Sequence, residues 1–207
     1  MDSALRPEIE AYLKCLDEIH RRIQHVRAVL TGEMKIGNQE ATIELVFVQL
    51  RKILELIAFS SLTANKEKYS IAHSNFARHW QAKGILQEVE KLNPCFYPVP
   101  LQLPVTIRAG RKHSELVPEG YLTRDDFELL YQKSSDILHA RNPFSDKGTL
   151  VEIGYSVEEW VSRIQTLLRL HLVHLVDNET KWVGEIRDDG SVHLYPLQAV
   201  DGPEESG

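Results

Sequence analysis

The stretch SVEEWVSRIQTLLRLHLVHLV, residues 156–176, sets the fold class, because nothing in it interrupts an apolar run of helical length. Ser156 supplies a cap, and Val157, Trp160, Val161, Ile164, Leu167, Leu168, Leu172 and Leu175 follow it. Read as one helix, the stretch is apolar nearly all round. That places it at the centre of a bundle or at an interface between subunits.

Four more helices precede it. In the one just upstream, Thr123 is a cap with Asp125 and Asp126 in the first turn, and Phe127, Leu130, Ile137 and Leu138 come after. It ends within SSDILHARNPF, residues 134–144, because Pro143 lacks an amide hydrogen and disfavours helical geometry at Asn142. The expected end is His139 or Ala140. Residues 5–31 carry Leu5, Ile9, Tyr12, Leu16, Ile19, Ile23, Val26 and Leu30 in steps of three and four, with Gly32 as the stop. Residues 39–65 set Ile43, Val46, Leu50, Ile53 and Ile57 on one side, and the short Gly-containing connection makes the two an antiparallel pair. A third helix is expected over residues 74–92, with Phe76, Trp80, Ile85, Leu86 and Val89 inward.

Prolines at 94, 98, 100, 104 and 118 exclude a helix from residues 93–122, an insert in which VTIR and SELV could pair around Gly110. KWVGEIRDDGSVHLYPL, residues 181–197, alternates about Asp189-Gly190 and reads as a hairpin. The expected architecture is all-α: a bundle of about five helices with two long antiparallel N-terminal helices, plus a small C-terminal β-hairpin. It forms a single helical domain over residues 1–200, followed by a disordered acidic tail at 201–207.

The chain is 43% hydrophobic, enough for a full core, and its net charge of −6 argues against broad salt-driven binding to nucleic acid. A local basic surface is still open at TIRAGRKHS, where Arg108, Arg111 and Lys112 surround a glycine; the alternative is a solvated loop. Cys15 and Cys95 form no CxxC, which suits a reduced compartment. The N-terminus lacks the build of a signal peptide, and ILELIAFSSL is too short for a membrane span and contains Glu55. A cytoplasmic protein without a membrane partner is expected. His171 and His174 could hold a metal only if other ligands arrived, and no HExxH, Walker loop, GxGxxG or GxSxG is present. No cofactor is expected.

Glu55 lies among Ile53, Leu54, Leu56 and Ile57, and a carboxylate in apolar surroundings needs a partner. Arg51 is four residues away on the same helix, and His139, Arg141 and Asn142 stand at the end of another. A polar cluster of Arg51, Glu55, His139, Arg141 and Asn142 within the bundle is the leading site. The alternative is an ordinary Arg51–Glu55 surface pair and a helix terminator.

The two long antiparallel helices, the shorter helices after them and the Arg141-Asn142 pair at a helix boundary resemble the HEPN helical superfamily over most of residues 5–176. The resemblance implies an RNA-directed protein. Where catalysis is kept, it implies a metal-independent ribonuclease of toxin, defence or RNA-processing type, in which a histidine acts as acid/base and an arginine stabilises charge. Members that have lost catalysis act as binding or assembly modules, which leaves a helical dimerisation or partner-binding role as the alternative. The family motif is an arginine followed four to six residues later by a histidine. Arg169 and His174 match it, with Leu170 in place of the usual polar follower; Arg108/His113 and Arg187/His193 match in loop or hairpin segments. On one helix Arg169 and His174 would face about 140° apart. A homodimer or a protein partner is expected on either reading, with RNA as a further possible partner.

Overall fold

The computed structural model of the protein describes residues 7–65, 82–108, 111–139, 152–175 and 181–197. Within these, α1 (Pro7–Leu30) and α2 (Gln39–Ala64) pack side by side. Tyr12, Leu16, Ile19, Ile23 and Val26 of α1 are buried against Val46, Leu50, Ile53 and Ile57 of α2, so the apolar steps of three and four become the seam. The turn between them uses Gly32 at φ 77°, and α2 opens on Asn38, whose side chain accepts from the Ala41 amide at 2.8 Å. Helix α3 (Ala82–Leu92) adds Ile85, Leu86 and Val89, all fully buried. Phe76 and Trp80 lie outside the described residues.

After α3 come β1 (Val99–Pro100), β2 (Val105–Arg108) and β3 (Arg111–His113), then α4 (Arg124–Leu138) and α5 (Val157–Arg169). Both helices open as their sequences require. Thr123 and Asp126 close a capping box, and the Ser156 side chain accepts from the Glu159 amide. Helix α4 stops at Leu138, with His139 as an extended C-cap.

The all-α expectation is overturned at the end of α5. The long helix stops at Arg169, and the chain turns at once into β4 (Leu170–His174), which pairs antiparallel with β5 (Lys181–Ile186). With β6 (Val192–Leu197) and β1 this makes a four-stranded antiparallel sheet in the order β1-β4-β5-β6. The fold is therefore mixed, five helices and a real sheet among the described residues, not a bundle with one small hairpin. The reason lies in β4 itself. Leu170, His171 and Val173 are buried and Leu172 and His174 half-buried, so the strand is covered on both faces and its sequence shows no strict apolar–polar alternation. Such a stretch has no period that separates strand from helix. Divided at Arg169, α5 is plainly amphipathic: Trp160, Val161, Ile164, Leu167 and Leu168 form its buried face.

The register assigns the two faces of the sheet. His171, Val173, Trp182, Gly184, Ile186, Val192 and Leu194 share the inner face; Val173 and Trp182 belong to the core, and Ile186, Val192 and Leu194 pack on it. Leu172, Val183, Glu185, His193, Tyr195 and Leu197 share the outer face, where Tyr195 and Leu197 are 40% and 45% exposed. The β5–β6 turn is the expected one: Gly190 at φ 86° donates its amide to the Arg187 carbonyl.

Residues 101–108 and 111–117 project from the sheet as an arm. Leu101 donates to the Leu170 carbonyl and bridges Leu116, and beyond it β2 and β3 pair only with each other. The pairing joins VTIR to RKH rather than to SELV. No described helix is long and apolar enough to cross a membrane.

Candidate functional site

Of the expected polar cluster, the structure brings Arg51 and Glu55 together and joins Tyr131 and Ser135 to them. Arg51 on α2 reaches Glu55 Oε1 through Nε at 3.3 Å, as their spacing requires. Its other nitrogens cross to α4. Nη1 donates to Ser135 Oγ at 2.6 Å, Nη2 donates to Tyr131 OH at 3.0 Å, and the guanidinium lies 4.6 Å from the Tyr131 ring centre. Glu55 is not buried in the core; its side chain is 28% exposed, as is that of Arg51. His139 is exposed at the end of α4, and Glu55 is joined to Arg51 rather than to it. Arg141 and Asn142 lie outside the described residues. Arg51 is thus a rivet between α2 and α4, with its donors directed at protein acceptors. Arg51→Ala is expected to cost about 1–2 kcal/mol in urea denaturation, because three partners lose a charged donor. Glu55→Gln should cost under about 1 kcal/mol, since that pair is solvent-screened.

The Arg169/His174 pair does not converge. Arg169 ends α5 and bonds Asp188 Oδ2 at 3.0 Å, with both side chains exposed. His174 ends β4, four strand steps or about 13 Å beyond Leu170. Nor can His171 and His174 share a metal from one face, because three steps along a strand reverse the side chain. His174 is half-buried on the outer face, where desolvation first and then Lys181 hold its imidazole below the usual range.

His171 points inward and is fully buried. Its Nδ1 lies 3.1 Å from the Leu168 carbonyl, which can only accept, so Nδ1 carries the proton. Nε2 must then accept from the Tyr12 hydroxyl at 2.7 Å. Burial pushes the His171 imidazole down to about 4 and the Tyr12 hydroxyl far up, so both are neutral at physiological pH. The ring lies against Gly184, its partner across β4 and β5. This is a satisfied core histidine that also ties off a carbonyl at the end of α5. Asn93 does similar work nearby, donating to Asn65 Oδ1 and the His174 carbonyl while accepting from the Cys95 amide.

A second polar grouping is not visible as a unit in the sequence. A shallow cleft of about 380 Å³ is lined by Leu103 from the root of the arm, by Arg169, and by Glu185 through Asp189 of the β5–β6 turn. Beside it, Arg187 donates to Glu185 Oε2 at 3.1 Å and to Tyr195 OH at 2.9 Å, and that hydroxyl donates to Glu185 Oε2 at 3.1 Å. The Tyr195 ring is thereby set, and the His193 ring lies nearly parallel to it at 5.9 Å. The alternation of SVHLYPL puts both rings on one face, a signal present in the sequence; that the face is the open one depends on β4. Arg108 and Arg111 sit opposite each other near the end of the ribbon, with Lys112 next to Arg111. No family model, curated protein or solved structure matches this chain.

Proposed function

We propose that the chain is an RNA-directed binding protein that holds its ligand without cleaving it. The observation that carries this reading is the placement of exposed arginine around one cleft. Arg169 and Arg187, about half exposed, line it together with Glu185, Asp188, Asp189 and Leu103, and the sequence beyond Leu103 carries Arg108, Arg111 and Lys112. A phosphate backbone would meet Arg169 and Arg187 there, on a chain whose net charge is −6. The Arg169–Asp188 ion pair is solvent-facing and worth no more than about 1 kcal/mol, so phosphate can replace that carboxylate.

Cleavage would need a titratable group and an arginine at one phosphate. Arg169 and His174 stand on different elements, His171 is buried and neutral, and Arg51 is engaged by Glu55, Ser135 and Tyr131. None of these three places joins a titratable group to a free arginine, and binding is the reading preferred.

Fluorescence anisotropy with labelled RNA, in excess chelator, tests the reading. Retention at low salt is expected, with log affinity falling against log salt at a slope between about −2 and −4, as three to five phosphate contacts to a single strand would give. Replacing Arg108, Arg111 and Lys112 together by serine should weaken binding at least tenfold while the RNA stays intact. Failure to retain RNA at low salt would overturn the proposal. Cleavage that is lost in His139→Ala or His174→Ala would restore the ribonuclease reading. A second reading has its own support: Leu103, Val105 and Leu116 are 52%, 61% and 61% exposed on the arm, as an assembly surface would be. Sedimentation tests it, since a strict monomer removes the homodimer.

A further inference from the structure

We infer that the outer face of the four-stranded sheet, at its β6 edge, is a stacking platform for the unpaired bases of a single-stranded nucleic acid. The inference rests on the proposed RNA-directed role and names the ligand's form and the surface that reads it. Three observations carry it. First, Tyr195 and His193 lie two residues apart on one strand and project from the same face, with nearly parallel rings 16° apart in plane. Tyr195 is 40% exposed although it is aromatic and sits in a strand, and neither ring belongs to the hydrophobic core. Trp182, the aromatic residue of the sheet that serves the core, faces the other way and is 5% exposed.

Second, the Tyr195 ring is set before any ligand arrives. Its hydroxyl receives a hydrogen bond from Arg187 and gives one to Glu185, so stacking a base on it freezes little additional freedom. Third, two arginines stand beside the platform, each paired with a carboxylate. Arg187 connects the Tyr195 hydroxyl to the cleft, and Arg169 lines the same cleft toward the root of the basic arm. Aromatic faces beside arginines are a general means of holding single strands, because every base offers a π-face. A duplex keeps its base faces stacked inside and cannot use the platform. The Glu185 carboxylate, held between Arg187 and Tyr195, repels phosphate from the middle of the face and steers the backbone to the Arg169 side.

The test is competition binding of the full chain to a fluorescein-labelled 12-nucleotide RNA, its deoxy counterpart and a 12-base-pair RNA duplex. Tyr195→Leu, Tyr195→Phe and the arm variant Arg108/Arg111/Lys112→Ser are compared with the parent. Loss of one stacked base is expected to weaken single-strand affinity by about 5- to 150-fold in Tyr195→Leu. Tyr195→Phe, which keeps the ring, should stay within about threefold, and the duplex should compete poorly. Photocrosslinking of 4-thiouridine RNA should label the peptide containing residues 192–197. Unchanged melting in both Tyr195 variants separates binding from folding. Parent-like binding by Tyr195→Leu, with loss confined to the arm variant, would overturn the platform and leave the RNA-directed role standing. Equal losses in the Leu and Phe variants would place the effect in the hydroxyl network and also overturn stacking. A duplex preferred over the single strand would do the same. A parent protein that binds none of the three overturns both proposals.

Discussion

Gly184→Val is expected to destabilise the protein by about 3 kcal/mol or more and to lower its melting temperature by about 6–12 °C. Propensity alone predicts the opposite, since valine is the better strand residue in the middle of β5. The obstacle is space. A Cβ at Gly184 would stand 2.5 Å from both Cε1 and Nε2 of His171. That ring is fully buried and held at both nitrogens, by the Leu168 carbonyl and the Tyr12 hydroxyl, so it has no free rotamer to retreat to. Moving it strands a buried acceptor or donor as well as forcing the strands apart, and each stranded group adds about 1–3 kcal/mol. Equilibrium urea denaturation measures the cost. The double variant Gly184→Val/His171→Ala should be more stable than the sum of the two single losses by at least about 1 kcal/mol, because the alanine vacates the space the valine needs. A single Gly184→Val variant within about 1 kcal/mol of the parent would mean that His171 is not packed on Gly184.

These contacts also explain which parts of the molecule were legible in the chain. Helix α1 could be read because it is covered on one side only, so Tyr12, Leu16, Ile19, Ile23 and Val26 recur with the period of a helix. The starts of α4 and α5 could be read because Thr123 and Ser156 act on amides three residues away, a local interaction. The β5–β6 hairpin could be read for the same reason, through Asp189 and Gly190. Strand β4 could not. Its identity depends on partners at Val99–Pro100 and Lys181–Ile186, which the local pattern does not reveal, and coverage on both faces erases the alternation that would betray it. The site obeys the same division. Arg51 and Glu55 were legible as neighbours on a helix, whereas Tyr131 and Ser135, some eighty residues on, reach Arg51 only through the packing of α2 against α4. Reading β4 as helix also put Arg169 and His174 on one element, and so made a motif of two residues that belong to different ones.

His171 carries the second large effect, a dependence of stability on pH. Its imidazole titrates near 4 in the folded protein because burial disfavours the charged form, against 6.5 for an exposed histidine. The folded pKa is the lower of the two, so between these values the unfolded chain binds the extra proton. Stability therefore rises with pH across this window. Its contribution is complete above about pH 6.5 and is lost as the pH falls through about 4. The shift corresponds to about 3 kcal/mol, a sizeable fraction of the stability of a typical domain. The structural cause is burial: the ring is fully enclosed, and its bond to the Leu168 carbonyl offsets the lost hydration of the charged form only in part. Urea midpoints measured from pH 7 to pH 4 should fall steeply in the parent. In His171→Leu the part of that slope owed to the imidazole should vanish, although the variant is weaker at pH 7 because Tyr12 and the Leu168 carbonyl each lose a partner. The two curves should thus converge toward pH 4. Parallel curves would mean that His171 accepts its proton while still folded, and the neutral Tyr12–His171 bond could not then be what joins α1 to the sheet.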